Sequence, residues 1–164
     1  MEYRELERGS RKVEKLTKNK IKNKMEKFIW TEEYSVGIKE IDEQHQHFFE
    51  IANKILDLVV GENQVKEEIL KALTELGDYG FYHFSTEEKY FDEFGYDLAP
   101  LHVDAHNKYR ETVGKYFKDI NKDEGVDVKK IAEDMATYSS NWLSNHILLM
   151  DKQYTKFFKE HGLN

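Results

Sequence analysis

The sequence predicts an all-α fold: an antiparallel four-helix bundle with up-down-up-down connections, preceded by an N-terminal arm. Four long stretches place apolar residues at intervals of three or four, which is the period of one helix face. The glycines and the single proline that separate these stretches lie in short links, and no stretch alternates as a strand would. A chain of 164 residues suits one domain with one core.

The first two helices are predicted at about 42–60 and 65–93. Asp42 is expected to cap the first helix, and Gly61 and Gly95 follow the two helix ends. The predicted core stripes are Ile41, His45, Phe48, Ala52, Ile55 and Val59, then Val65, Ile69, Leu73, Leu76, Gly80, His83, Glu87, Tyr90 and Phe94. Both stripes therefore contain residues that can bind a metal.

The other two helices are predicted at about 102–120 and 127–159, with Pro100 in the link before the third and Gly125 in the turn before the fourth. Their core stripes are His102, His106, Tyr109, Val113, Tyr116 and Ile120, then Val128, Ile131, Met135, Tyr138, Trp142, His146 and Leu149. Histidines again stand at core positions.

The chain before the bundle divides into two parts. Residues 1–27 hold ten Lys or Arg and five Asp or Glu, a net charge of +5, whereas the remaining residues carry −12. This basic polar extension is predicted as a frayed or peripheral helix and as a candidate contact for a protein partner; residues 1–24 are alternatively a misassigned start or the remnant of a longer region. Residues 28–164 are predicted to form the bundle domain, with 28–39 packed across it as an irregular segment.

The composition limits which metal ligands, partners and cellular location this chain can have. The chain has no cysteine, so any metal must be held by His, Asp and Glu. The net charge of −7 argues against a nucleic-acid partner. No apolar run approaches the roughly 18 residues of a membrane span, and the start lacks a signal-peptide pattern, so a soluble cytoplasmic protein is expected.

Six polar residues stand where the helical period predicts core: His45, His83, Glu87, His102, His106 and His146. Burial without partners would cost several kcal/mol, and metal coordination removes that cost. A single histidine on such a stripe is more often a hydrogen-bonded core residue, but five histidines and a glutamate from four helices favour a metal site. His83 with Glu87, and His102 with His106, are i, i+4 pairs about 6 Å apart.

Asp151 is a further acidic candidate near His146. Its spacing, i, i+5, turns it about 140° away on an ideal helix, so this pair alone is weak evidence. With Asp151 the donors number seven, which suits two octahedral ions; nitrogen-rich donors without sulfur favour iron, with manganese or cobalt as alternatives. The remaining acids, including Glu88, are expected on solvated faces, whereas Tyr154 and Asp42 are candidates to orient the ligands.

Four segments carry a resemblance to a known family: WTEEYSVGIKEIDEQHQHFFEIANKI at 30–55, HFSTEE at 83–88, HVDAH at 102–106 and WLSNHILLMD at 142–151. In order and spacing they resemble the bacterial hemerythrins. The resemblance implies that His102, His106 and His146 bind one iron, that His45 and His83 bind the other, and that Glu87 and Asp151 bridge them with an oxo or hydroxo group. It also implies an oxygen pocket lined by Trp142 and Leu143.

The resemblance implies that dioxygen binds as a hydroperoxide at the iron with two histidines, for oxygen transport, storage or delivery. The donor set agrees, since carboxylate-rich oxidases use Glu-x-x-His pairs and this sequence has none. An oxygen or redox sensor, a scavenger of peroxide or nitric oxide, and a structural two-zinc site are the alternatives. We expect a monomeric binding protein and not an enzyme.

Overall fold

The fold is described from a computed structural model covering residues 27–61, 66–122 and 125–164. Four helices build the bundle: α1 (Lys39–Val60), α2 (Lys66–Phe94), α3 (Ala99–Ile120) and α4 (Val128–His146). A π-helical turn (Ile147–Asp151) continues α4 into α5 (Lys152–Glu160). No strand occurs among the described residues. The predicted four-helix bundle is thus confirmed, and the predicted basic extension lies outside the described residues except for Lys27.

The helices alternate in direction. His45 lies near the start of α1, His83 in the second half of α2, His102 near the start of α3 and His146 at the end of α4. Rings of all four meet in pairs at centroid distances of 4.6–4.7 Å, from His45 to His83 and from His102 to His146. Since beginnings and ends meet at one place, consecutive helices are antiparallel.

Two helix starts differ from the prediction. Helix α1 begins at Lys39 because Asp42 accepts hydrogen bonds from the preceding loop, from the N–H groups of Val36 and Gly37. Helix α3 begins at Ala99, with Pro100 in its first turn, where a missing N–H costs nothing. Asp42 therefore fixes the loop and does not cap α1.

The segment before α1 packs on the bundle, as predicted. Phe28 stacks on Phe49 at 5.5 Å, and its N–H and carbonyl both bond to the Asn53 side-chain amide. A short 3₁₀ helix (Glu32–Tyr34) follows. Trp30 lies 6.2 Å from the His45 ring, so this segment also closes one side of the histidine-rich end.

The core is apolar along its length, apart from this end. Val36, Ile41, Phe48, Leu73, Met135 and Phe158 are among the side chains with at most 2% of their surface exposed. Gly80 allows a close approach, because a Cβ atom there would lie 3.3 Å from both Phe48 and Tyr109. The rings around Gly80 form the floor beneath the polar cluster.

Candidate metal centre

All seven residues predicted to hold metal meet in one buried cluster. Each has at most 5% of its surface exposed: His45, His83, Glu87, His102, His106, His146 and Asp151. The i, i+4 spacing in α2 and α3 puts each pair on one inward face, as predicted. The structure thus brings together every predicted donor, whereas His47 and His161 are exposed and lie outside the cluster.

Three imidazoles form one half of the cluster. The Nε2 atom of His146 lies 2.9 Å from that of His102 and 3.1 Å from that of His106. Glu87 completes a group of four whose donor atoms are all within 4.8 Å of one another. The arrangement can surround a single cation from three helices.

The other half contains two imidazoles. His45, His83, Glu87 and Asp151 form a second group within the same 4.8 Å limit. The rings of His45 and His83 meet edge to face at 4.7 Å. Glu87 belongs to both groups, so the two halves share a carboxylate.

The second carboxylate also faces both halves. Asp151 Oδ1 lies 3.1 Å from His146 Nε2 and 3.2 Å from His102 Nε2, and its Oδ2 lies 3.2 Å from His45 Nε2. Glu87 is arranged similarly, with Oε2 3.1 Å from His106 Nε2 and Oε1 4.0 Å from His83 Nε2. Each carboxylate therefore directs one oxygen to each half.

The π-helical turn explains how Asp151 reaches the cluster. On an ideal α-helix its i, i+5 spacing from His146 would direct it about 140° away. The turn from Ile147 to Asp151 contains one extra residue per turn, so Asp151 returns to the inward face and is fully buried. Tyr154 and Phe158 keep the same face in α5.

Hydrogen bonds behind the cluster orient two imidazoles. His106 Nδ1 lies 2.8 Å from Glu88 Oε1, and His83 Nδ1 lies 3.0 Å from Gln44 Oε1. Because both partners present acceptor oxygens, each Nδ1 carries the proton and each Nε2 directs a lone pair into the cluster. The expectation that Glu88 is a solvated surface acid is therefore wrong: Glu88 and Gln44 are contact residues that sequence reasoning missed.

A tyrosine holds one of the carboxylates. The Tyr154 hydroxyl donates a hydrogen bond to Glu87 Oε1, and burial together with the nearby carboxylates raises the pKa of Tyr154 well above its usual value. Tyr154 is fully buried. Of the two residues expected to orient the ligands, Tyr154 does so and Asp42 does not.

Burial and neighbouring charges shift the pKa values of the cluster residues in different directions. Burial lowers the pKa of His83 to about 3, so this imidazole is neutral. Burial also opposes charge on His102, but the facing carboxylates of Asp151 and Glu87 outweigh it and raise the pKa of His102 to about 9. Although burial opposes their ionisation, the facing histidines hold the pKa values of Glu87 and Asp151 well below the usual range. The carboxylates are thus anionic donors.

The donor set fits a pair of metal ions. Six buried atoms in the cluster have no hydrogen-bond partner among the described residues: both ring nitrogens of His45, Nε2 of His83, Oε2 of Glu87 and both oxygens of Asp151. The short distances from these carboxylates to imidazoles lack hydrogen-bond geometry, so we regard them as ionic contacts only. Lone pairs that face each other in a buried space are stabilised when a cation lies between them.

Apolar groups surround the three-histidine half. Trp142 stacks on His146 at 4.2 Å, and Phe84 stacks on His106 at 4.1 Å and contacts Trp142 edge to face. Leu143 is fully buried, whereas Trp142 is half-buried. These positions agree with an apolar wall, and the oxygen pocket expected at Trp142 and Leu143 stays a prediction.

Together, the fold and the cluster define the class: a helical bundle that binds metal through histidine and carboxylate side chains. Residues 36–158 match the family model described as the hemerythrin HHE cation binding domain. The chain therefore belongs to the hemerythrin family.

Individual hemerythrins are also similar to this chain in sequence and in structure. A bacteriohemerythrin of Clostridium acetobutylicum is 33% identical over 130 residues, covering 77% of this chain and 98% of the relative. One from Methylococcus capsulatus is 32% identical over 126 residues, covering 76% and 92%. A crystal structure of wild-type hemerythrin superimposes with a TM-score of 0.70 at 29% identity, covering 79% of this chain and 95% of that one. In the part of the chain that the structure describes, no helix has the length and apolar character needed to cross a membrane.

Proposed function

We propose that this chain binds dioxygen reversibly at two iron ions, for oxygen transport, storage or delivery. The main support is the unequal division of donors: three imidazoles in one group, two in the other, and a carboxylate common to both. An octahedral ion with fewer protein donors keeps a position for a small ligand. The proposal makes the two-histidine half the place where dioxygen binds.

In this proposal, His102, His106 and His146 hold one iron, and His45 and His83 hold the other. Glu87 and Asp151 would serve both iron sites, since each directs one oxygen to each half. When bound, the iron pair would supply two electrons to dioxygen and accept them again on release.

The surrounding residues favour reversible binding over oxidation. Five imidazoles and only two carboxylates supply little negative charge, so the reduced centre is not driven towards high oxidation states. Phe84 and Trp142 pack on imidazoles of the three-histidine half and Leu143 is fully buried, so apolar side chains exclude water from that side of the cluster. The Tyr154 hydroxyl keeps Glu87 in position by its hydrogen bond. The chain thus serves as a binding protein and not as an enzyme.

The test is metal analysis with visible spectroscopy of the reduced protein under argon, in air, and under argon again. We expect two irons per chain and a visible charge-transfer band that appears with oxygen and disappears when oxygen is removed. A stable oxidised spectrum would instead indicate redox sensing or the scavenging of small oxidants. Iron-free protein after reconstitution would overturn the proposal.

A matched pair of variants tests the assignment of the donors. His45 and His47 are two residues apart on α1, but His45 is fully buried in the cluster and His47 is exposed. His45→Gln should lose one iron and the oxygen-dependent band, whereas His47→Gln should keep both. Equal iron content in the two variants would contradict the assignment.

A further inference from the structure

Glu88 lies between the cluster and the protein surface. Its Oε1 accepts a hydrogen bond from His106 Nδ1 and forms an ion pair with the Arg110 guanidinium, both at 2.8 Å, and a quarter of its side chain is exposed. Arg110 is itself fixed, because it donates to Asn107 Oδ1 and lies 5.3 Å from the Phe84 ring. The carboxylate is therefore fixed from both sides and is not a free surface charge.

The corresponding residue in the other half is neutral. Gln44 Oε1 accepts a hydrogen bond from His83 Nδ1 at 3.0 Å, and its amide nitrogen lies 3.4 Å from the Tyr82 hydroxyl and 3.3 Å from the Thr86 hydroxyl. Gln44 is buried, with 5% of its surface exposed. An amide thus orients this imidazole without adding charge.

We infer that Glu88 is a positioning residue that makes the two irons electrically unequal. It holds His106 with the Nε2 lone pair towards the three-histidine iron, and it places a carboxylate, paired on its outer side with Arg110, behind that imidazole. Among the described residues, the hydrogen-bond partner behind His83 is the neutral Gln44. The inference rests on the proposed binding of two irons.

The expected consequence is a difference in redox preference. A carboxylate that accepts a hydrogen bond from the imidazole N–H increases the electron donation of that imidazole to the metal and strengthens metal binding. Negative charge also stabilises Fe(III) more than Fe(II), because the attraction scales with the charge of the ion. The three-histidine iron should therefore be the more easily oxidised of the two, and Glu88 should be the cause.

Three variants separate charge from hydrogen bonding. Glu88→Gln keeps an acceptor oxygen near His106 and removes the charge. Gln44→Glu adds a charge behind His83 while keeping an acceptor. Glu111→Gln is the matched control, because it makes the same charge change at an exposed residue of α3.

Two measurements are needed on the full chain: Fe(II) affinity by anaerobic chelator competition, and midpoint potential by spectroelectrochemistry. Glu88→Gln should weaken one of the two Fe(II) sites about tenfold and leave the other unchanged. Its midpoint potential should rise, and a tenfold loss of preference for Fe(III) corresponds to about 59 mV. Gln44→Glu should lower the potential, and Glu111→Gln should change neither quantity.

The outcomes distinguish this inference from the proposed function. Failure of the unmodified chain to bind iron would overturn both. Two tightly bound irons, with Glu88→Gln indistinguishable from Glu111→Gln, would overturn the inference alone. If circular dichroism shows that Glu88→Gln does not fold, Gln44→Glu decides: a lowered potential supports the inference, and an unchanged one refutes it.

Discussion

Deletion of Leu149 tests whether the π-helical turn is what places Asp151 in the cluster. Leu149 lies within the turn and has 66% of its surface exposed, so its removal deletes no core contact. The deletion converts the His146-to-Asp151 spacing from five residues to four. On an ideal α-helix the angle between these side chains then falls from about 140° to about 40°, the angle expected for His83 and Glu87.

We therefore expect the Leu149 deletion to be tolerated. An unbroken α-helix with one residue fewer keeps Asp151, Tyr154 and Phe158 on the inward face, and the helix shortens by only about 1.5 Å. The variant should bind two irons per chain. Its free energy of unfolding should stay within about 1 kcal/mol of the parent value, as for other changes at exposed positions.

Deletion of Gln153 is the control, because this residue is also exposed but lies after the turn. Its deletion rotates Tyr154 and Phe158 by about 100° relative to Asp151. The helix can therefore no longer direct Asp151, Tyr154 and Phe158 inward together. Loss of buried Phe158 packing alone costs about 3–5 kcal/mol. Metal analysis and thermal unfolding provide the comparison. Loss of iron after the Leu149 deletion, or full iron content and stability after the Gln153 deletion, would refute this explanation.

Three further predictions concern Tyr154, the pH dependence that His83 and His102 cause, and Leu143. Tyr154→Phe removes the hydrogen bond to buried Glu87, so urea unfolding of the iron-free protein should show a loss of about 1–3 kcal/mol; an unchanged midpoint would contradict the role of that bond. Iron-free protein should be most stable near pH 6.5: stability falls at lower pH because only unfolded His83 takes up a proton, and at higher pH up to about 9 because only unfolded His102 has lost its proton. Each limb should approach about 1.4 kcal/mol per pH unit in urea titrations, and a flat profile would argue against the shifted pKa values of both residues. Leu143→Ala should cost about 2–5 kcal/mol of stability and speed irreversible oxidation of the iron-loaded protein in air, measured by its spectrum; oxidation at the parent rate would remove Leu143 from the proposed oxygen pocket.

The sequence predicts local geometry well where one helix carries both partners. His83 with Glu87 and His102 with His106 lie on single α-helices, so a spacing of four residues is enough to bring each pair together. Polar residues at core positions then indicate the site, because burial without partners is costly.

Contacts between helices are where sequence reasoning fails. Glu88 precedes His106 by 18 residues on another helix, and Gln44 precedes His83 by 39, so neither hydrogen bond has a local spacing to reveal it. Asp151 is a related case, since a regular helix argues against it and only the π-helical turn brings it inward. In the sequence, the only hint of a role for Glu88 is that it directly follows the predicted ligand Glu87. An acid on a solvated helix face can occupy the same position, so the hint does not distinguish the two.

The two tryptophans of the chain lie close enough to the cluster to serve as fluorescent probes of metal binding. Trp30 lies 6.2 Å from the ring of His45, in the two-histidine half, and Trp142 stacks at 4.2 Å on His146, in the three-histidine half. A coloured metal ion at this range quenches indole fluorescence, so the loss of emission reports that the centre fills. In Trp30→Phe and Trp142→Phe proteins, the emission of the remaining tryptophan during titration with iron would follow this filling from opposite halves of the cluster.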